Sequence, residues 1–240
     1  MFSIFKKELR TFFSNATGYI VIGIFLMLTG LFLWIIPGEY NILDNGYANV
    51  DGLFYLAPWL FLFLCPAVTM RLFAEEKQTG TWELIATKPI SKLQIVLGKY
   101  FAGWTLVTLA LLPTLLYYFS VSFLSEPSGN VDSGAFWGSF IGLLFLAFVY
   151  VAIGTFASSL SNNQIISFVV AGVLSFFFYY GFEVLAGFFT SGQFIQILET
   201  FGIHAHYKSM SRGVIDSRDV IYFMILSSGF IAATVWKIKN

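Results

Sequence analysis

Six long apolar stretches, each closed by polar or charged residues, divide the chain. A helix needs about 20 apolar residues to cross the hydrocarbon of a bilayer. Residues 18–36, 53–70, 100–124, 134–160, 165–189 and 220–236 meet that requirement and predict six transmembrane helices. The second stretch holds no charge, the third contains Pro113, and the fifth contains one acid, Glu183. Only Ser158, Ser159, Ser161, Asn162, Asn163 and Gln164 separate the fourth from the fifth, which predicts a tight turn in place of one overlong helix. With no water in the membrane core, backbone groups must be satisfied internally, and continuous apolar runs of this length do so as helices.

Three segments are not simple spans. Residues 1–16 predict an interfacial amphipathic helix: Phe2, Phe5, Leu9, Phe12 and Phe13 share one face, while Lys6, Lys7 and Arg10 point away toward headgroups. Asn15 to Gly18 then gives the chain room to turn into the first span. Residues 71–99 form the longest charged connection. Arg71 to Gln78 reads as a short helix ended by Gly80, Thr81 as the cap of a second one, Lys88-Pro89 as an extended turn, and Ser91 as the cap of an amphipathic turn leading into the third span. Short helices joined by tight turns make a stiff loop, suited to carrying movement; a solvated, topology-setting loop is the plainer alternative. Residues 190–219 are too short for a domain, and an apolar helical face at Phe194, Ile195, Ile197, Leu198 and Phe201 suggests an outer re-entrant segment.

Composition sharpens this picture. Hydrophobic residues make up 58% of the 240 and charged residues 11%, against about a quarter charged in soluble domains. A zero formal net charge gives no basic surface for nucleic acid. Charge distribution orients the chain. With the N-terminus inside, the inner segments hold Lys6, Lys7, Arg10, Arg71, Lys77, Lys88, Lys92, Lys99, Lys237 and Lys239, and the outer ones only Lys208, Arg212 and Arg218. The positive-inside rule then places both termini in the cytoplasm.

Candidate chemistry is sparse. The lone Cys65 lies in an apolar run. His204 and His206, with Glu199 upstream, match a metal pair only if the backbone there is extended, and no Cys or third His supports them. Hydrogen bonding at the interface is the favoured reading, and no metal is assigned. Glu183 is a candidate for the translocation path, because a carboxylate within a span is costly unless it serves a purpose. Gly134, Gly138 and Gly142 form a small-residue stripe that permits close approach, within one chain before a partner. No nucleophile and base fall at helical spacing, which argues against an intramembrane enzyme.

The run Glu75-Glu76-Lys77, Thr79-Gly80-Thr81, Glu83-Leu84, Lys88-Pro89-Ile90 and Leu97-Gly98-Lys99 resembles the inner loop of ABC-2 type transporter permeases. The likeness extends to the N-terminal Phe5-Lys6-Lys7-Glu8-Leu9 and to Ser211-Arg212-Gly213 with Arg218-Asp219-Val220 before the last span. Within that family, the overall texture is most similar to the permeases of gliding-motility transporters. The resemblance implies an all-α permease in the bacterial cytoplasmic membrane that works with cytosolic ABC ATPase subunits. ATP and Mg would bind those partners and no cofactor this chain, which also has no G-x-x-x-x-G-K-[ST] loop. It further implies a second permease subunit, either a different chain with a large extracytoplasmic domain or a second copy. ATPase coupling falls on Glu75, Glu76, Thr79, Gly80, Thr81, Trp82, Glu83 and Leu84, and the interfacial helix on Phe5, Lys6, Lys7, Leu9 and Arg10. The work done is export or envelope movement; a membrane scaffold without cargo is the alternative.

Overall fold

A computed structural model of the chain describes residues 1–190 and 192–239. Among them the structure is all helical, without a strand, and six helices are long and apolar enough to cross a membrane: Ala16–Ile35, Asp51–Gln78, Lys92–Leu124, Ser133–Leu160, Gln164–Ala186 and Ser217–Lys239. The protein is a multi-pass membrane protein. An amphipathic helix, Phe2–Ser14, precedes the first span, and extended Asn15 makes the corner between them.

The second and third spans are longer than the apolar runs alone suggest. The second continues through Met70, still helical in its dihedrals, as Arg71–Gln78. The third begins at Lys92, where Ser91 caps it by accepting from the Gln94 amide at 3.3 Å. Hydropathy marks where a helix leaves the hydrocarbon, whereas backbone hydrogen bonding decides where it ends. Pro113 does not break the third span but tightens it into a 3-10 turn over Leu112–Thr114. Asn163 caps the fifth span, its side chain accepting from Ile165 and Ile166. A single π turn closes the first span at Leu31–Ile35, and another interrupts the fifth at Phe177–Gly181, just before Glu183.

The fourth span is the most buried and touches the second, third, fifth and sixth. Lipid supplies no hydrophobic drive between helices, so close packing and hydrogen bonds hold such a bundle. Gly154 lies flush against Thr69 of the second span, and Gly103 of the third against Val151. Tyr100 donates to the Phe148 carbonyl at 3.0 Å and Trp104 to Leu144 at 3.2 Å. In the glycine stripe, Gly138 and Gly142 face the end of helix Ile203–Met210 and the turn after it: a Cβ on Gly138 would overlap the Gly213 carbonyl, and one on Gly142 would press on Met210. Gly213 itself has φ +82°, a conformation L side chains rarely adopt. Gly134 meets only the Asp132 side chain.

Both termini and residues 71–99 lie at one end of the bundle, where Ile4, Leu72, Phe73, Ile95 and Val96 form a small core with Ile238 packed on it. At the far end, helix Gly192–Phe201 packs on Phe182–Ala186, and helix Ile203–Met210 packs on the fourth and sixth spans. Ile203, Tyr207 and Met210 turn inward, and the Tyr207 hydroxyl donates to the Phe54 carbonyl at 2.8 Å.

Candidate functional site

The candidate site is the elbow between the second and third spans. Its first arm, Arg71–Gln78, presents Leu72, Phe73, Ala74 and Glu76 inward. Gly80, with φ +70°, reverses the chain into the second arm, Thr81–Ala86. The threonines act differently from the capping role expected of Thr81. Thr79 donates to the Glu75 carbonyl at 2.9 Å, Thr81 to the Glu76 carbonyl at 3.4 Å, and the two hydroxyls meet at 2.9 Å. They close the end of the first arm, while the second starts at Gly80 with no side-chain cap. Trp82 packs edge-on against Phe73, which fixes the angle between the arms. Thr79, Gly80, Thr81, Glu83 and Leu84 are exposed at the tip, and Glu75 is half-buried. Leu84, 68% exposed, is an apolar side chain with nothing of this chain to cover it.

Three anchors hold the elbow. The first is Ser158 at the end of the fourth span. Its hydroxyl enters the helical ladder at Met70, accepting from the Phe73 and Ala74 amides at 3.0 and 3.2 Å and donating to the Met70 carbonyl at 2.9 Å. A side chain inserted into the ladder keeps buried backbone groups paired where the helix bends. Beside it, Lys77 reaches the Ser159 carbonyl at 2.5 Å.

The second anchor is a buried charge cluster. Lys99, whose side chain is 1% exposed, places Nζ 2.8 Å from Glu8 Oε1 and 2.8 Å from Glu76 Oε1. It also donates to the Leu72 carbonyl and lies over the Phe73 ring. Lys7 binds Glu76 at 2.5 Å and Glu8 at 3.4 Å from the more open side. Burial alone would lower the Lys7 pKa. The hydrogen bond to Glu76 and the charges of Glu8 and Glu76 outweigh it, and the pKa rises above the usual 10.5. Two bases and two acids thus join the N-terminal helix, the first arm and the start of the third span.

This cluster changes the role expected of Glu76. Its carboxylate is turned inward: Oε1 is held by Lys99 and Lys7, and Oε2 is buried without a hydrogen-bond partner among the described residues. Burying a carboxylate unpaired would cost several kcal/mol, on the order of the desolvation penalty of a charge. The N-terminal helix is likewise docked on protein as well as amphipathic. Ile4, Glu8 and Phe12, four residues apart, face the bundle, with Ile4 against Gly98, while Phe2, Lys6 and Arg10 stay exposed and Phe5 and Leu9 are partly covered. Lys7 leans from the polar side toward Glu76.

The third anchor ties in the last span: Lys92 donates to the Ile238 carbonyl at 2.9 Å. Glu8, Lys99 and Ser158, which the sequence places in a motif or a turn without a site role, carry most of this architecture. A signal existed for two of them. Lys99 stands alone among Ile95, Val96, Tyr100 and Ala102, and Glu8 is the one acid in an otherwise basic helix.

At the far end, the histidines diverge. Their backbone is helical, not extended, which sends side chains two residues apart to different sides. His206 Nδ1 lies 2.7 Å from Asp219, its Nε2 2.9 Å from the Thr200 carbonyl, and its ring stacks on Tyr222. His204 Nδ1 is 2.7 Å from Glu183. No group of three or more metal-ligating His, Cys, Asp or Glu side chains is found among the described residues. Glu183 is partly exposed beside Tyr179, within the last turn of the fifth span.

A family model described as ABC-2 family transporter protein matches residues 35–207, which takes in the elbow, Glu76, Lys99 and Ser158 of its anchors, and the histidine pair. No curated protein matches the chain.

Proposed function

The chain belongs to the ABC-2 transporter family, and from that premise we propose that it is the permease subunit of an ABC transporter, moved by ATP hydrolysis in a separate cytosolic subunit. One observation carries the coupling: an exposed tip, Thr79 to Leu84, sits on a stiff elbow pinned to the N-terminal helix, the fourth span and the sixth. A push on the tip cannot be absorbed by a floppy loop, because Lys99, Ser158 and Lys92 transmit it to the spans. Leu84 and Trp82 dock in an apolar groove of the ATPase, and Glu75 and Glu83 meet bases around it. Glu76 serves the elbow from within.

The excess of Lys and Arg at the elbow end supports a cytoplasmic location for both termini in a bacterial inner membrane. A second permease chain, a copy or a partner with a large extracytoplasmic domain, completes the pathway. Glu183 stands at its outer end. Export is the leading form of work; envelope movement of the gliding-motility kind is the finer reading, supported by the likeness of the overall sequence texture to those permeases.

The test is co-purification from mild detergent. Leu84→Arg is expected to lose the ATPase subunit while retaining the wild-type unfolding midpoint. Undiminished recovery of the ATPase would remove the tip from the coupling path. ATP-dependent flux in vesicles holding the complex separates a conducting permease from a scaffold.

A further inference from the structure

A second feature at the elbow end has a different chemistry. Between the start of the third span and the end of the sixth lies a cavity of about 650 Å3. Leu97, Ile231, Val235 and Trp236 form its wall, and Ser91, Lys92 and Lys239 stand at its mouth. Trp236 is 67% exposed, and the groove opens sideways along two membrane-spanning helices, so the bilayer reaches it directly.

At the mouth, Lys92 and Lys239 make no ion pair with any described residue. Every ion pair among the described residues uses Lys7, Lys99, His204 or His206 as the base. Lys92, Lys237 and Lys239 have no described carboxylate within reach. Lys92 spends part of its donor capacity on the carbonyls of Ile238 and Lys239, at 2.9 and 3.5 Å. An ammonium has three donors, so at least one remains, and the contact holds the Lys92 head beside the groove. The Ser91 oxygen accepts from the Gln94 amide, which leaves its proton free to donate. An apolar slot that opens to lipid and ends in lysines and a hydroxyl is complementary to an acyl chain that ends in a phosphate.

We infer that this groove is a binding site for an anionic phospholipid of the adjacent leaflet. The acyl chain lies along Leu97, Ile231 and Val235, and the phosphate is held by Lys92, Lys239 and Ser91. The positive-inside rule accounts for lysines at this end but not for a groove beneath them. Because Lys92 also ties the third span to the sixth, the lipid binds at the joint that carries the elbow's anchor. The inference does not depend on the ATPase: a failure of the tip to recruit that subunit would leave it standing.

A lysine facing anionic lipid contributes about a factor of five in affinity. The protein in mild detergent, titrated with phosphatidylglycerol or phosphatidylcholine of matched chains and read by native mass spectrometry, should retain one phosphatidylglycerol at least about tenfold more tightly. The double variant Lys92→Gln/Lys239→Gln should abolish the difference, and Arg212→Gln/Arg218→Gln at the opposite end should preserve it. Equal retention of the two lipids by the unaltered protein, or full preference in the Lys92/Lys239 variant, overturns the site. Should that variant misfold, quenching of tryptophan fluorescence by brominated lipid decides. Brominated phosphatidylglycerol should quench more than brominated phosphatidylcholine, and Trp236→Phe should remove the excess; an excess that survives Trp236→Phe overturns the site.

Discussion

Lys99→Met tests the central claim about the elbow, because it removes a charge and keeps an unbranched side chain. Glu8 and Glu76, with side chains 11% and 8% exposed, would stay behind with Lys7 alone to compensate them. Breaking a buried pair from one side costs about 3–5 kcal/mol, since the remaining charge stays desolvated. Lys7 still reaches both acids but is half exposed, so its help is screened, and the lower part of that range, about 3 kcal/mol, is expected. In a chain of this length each kcal/mol moves the unfolding midpoint by about 2–4 °C, giving a fall of roughly 6–12 °C. Adding Glu76→Gln to Lys99→Met takes away one of the stranded acids and should recover about 1–3 kcal/mol, the usual coupling between touching charges. Cys65, the one cysteine and fully buried, is a built-in reporter: a thiol-reactive fluorophore lights up only as the bundle opens. A Lys99→Met midpoint within about 2 °C of the unaltered protein, or a double variant in which the two costs simply add, would refute the cluster as an anchor.

Other expectations follow from the same geometry. Gly138→Val should destabilise by about 1–3 kcal/mol, because its side chain meets the Gly213 backbone, while Gly23→Ala, facing open space, should not; the same fluorophore reads both. Lys7 has a raised pKa when folded, so its contribution is complete below the unfolded value near 10.5 and fades as pH climbs through the folded one. The midpoint deficit of Lys7→Gln should therefore hold steady through neutral and mildly alkaline pH and shrink only above that value; a deficit that vanished by neutral pH would contradict the pairing. Glu183→Gln should lower ATP-driven activity of the reconstituted complex without lowering protein level, and full activity would remove Glu183 from the pathway.

Much of the architecture was legible without coordinates, and the reason is solvent. A bilayer demands length and apolarity in every segment it contacts, so six spans, the corner at Asn15, the turn at Asn163 and the break at Gly80 are each written in a few consecutive residues. The family, too, was legible in the spacing of the elbow residues, and the matched region contains that elbow. Local chemistry of this kind needs no partner from elsewhere in the chain.

What tertiary structure decided is which polar groups are spent inside the molecule. Glu75 and Glu76 are neighbours with the same side chain, yet helical geometry turns Glu76 to Lys99 and leaves Glu75 toward the surface. Ser158 looked like part of a turn and instead completes a helix it does not belong to, and His204 and His206, two residues apart, answer to different carboxylates. Each depends on residues brought together from separate helices: Glu8 and Lys99 are 91 positions apart, and Phe73 and Ser158 are 85. A charge or hydroxyl reads the same on paper whether it faces water or a partner. Burial alone makes the difference, because an ion or a backbone amide removed from water must be paired, and only the packing of the bundle determines with what.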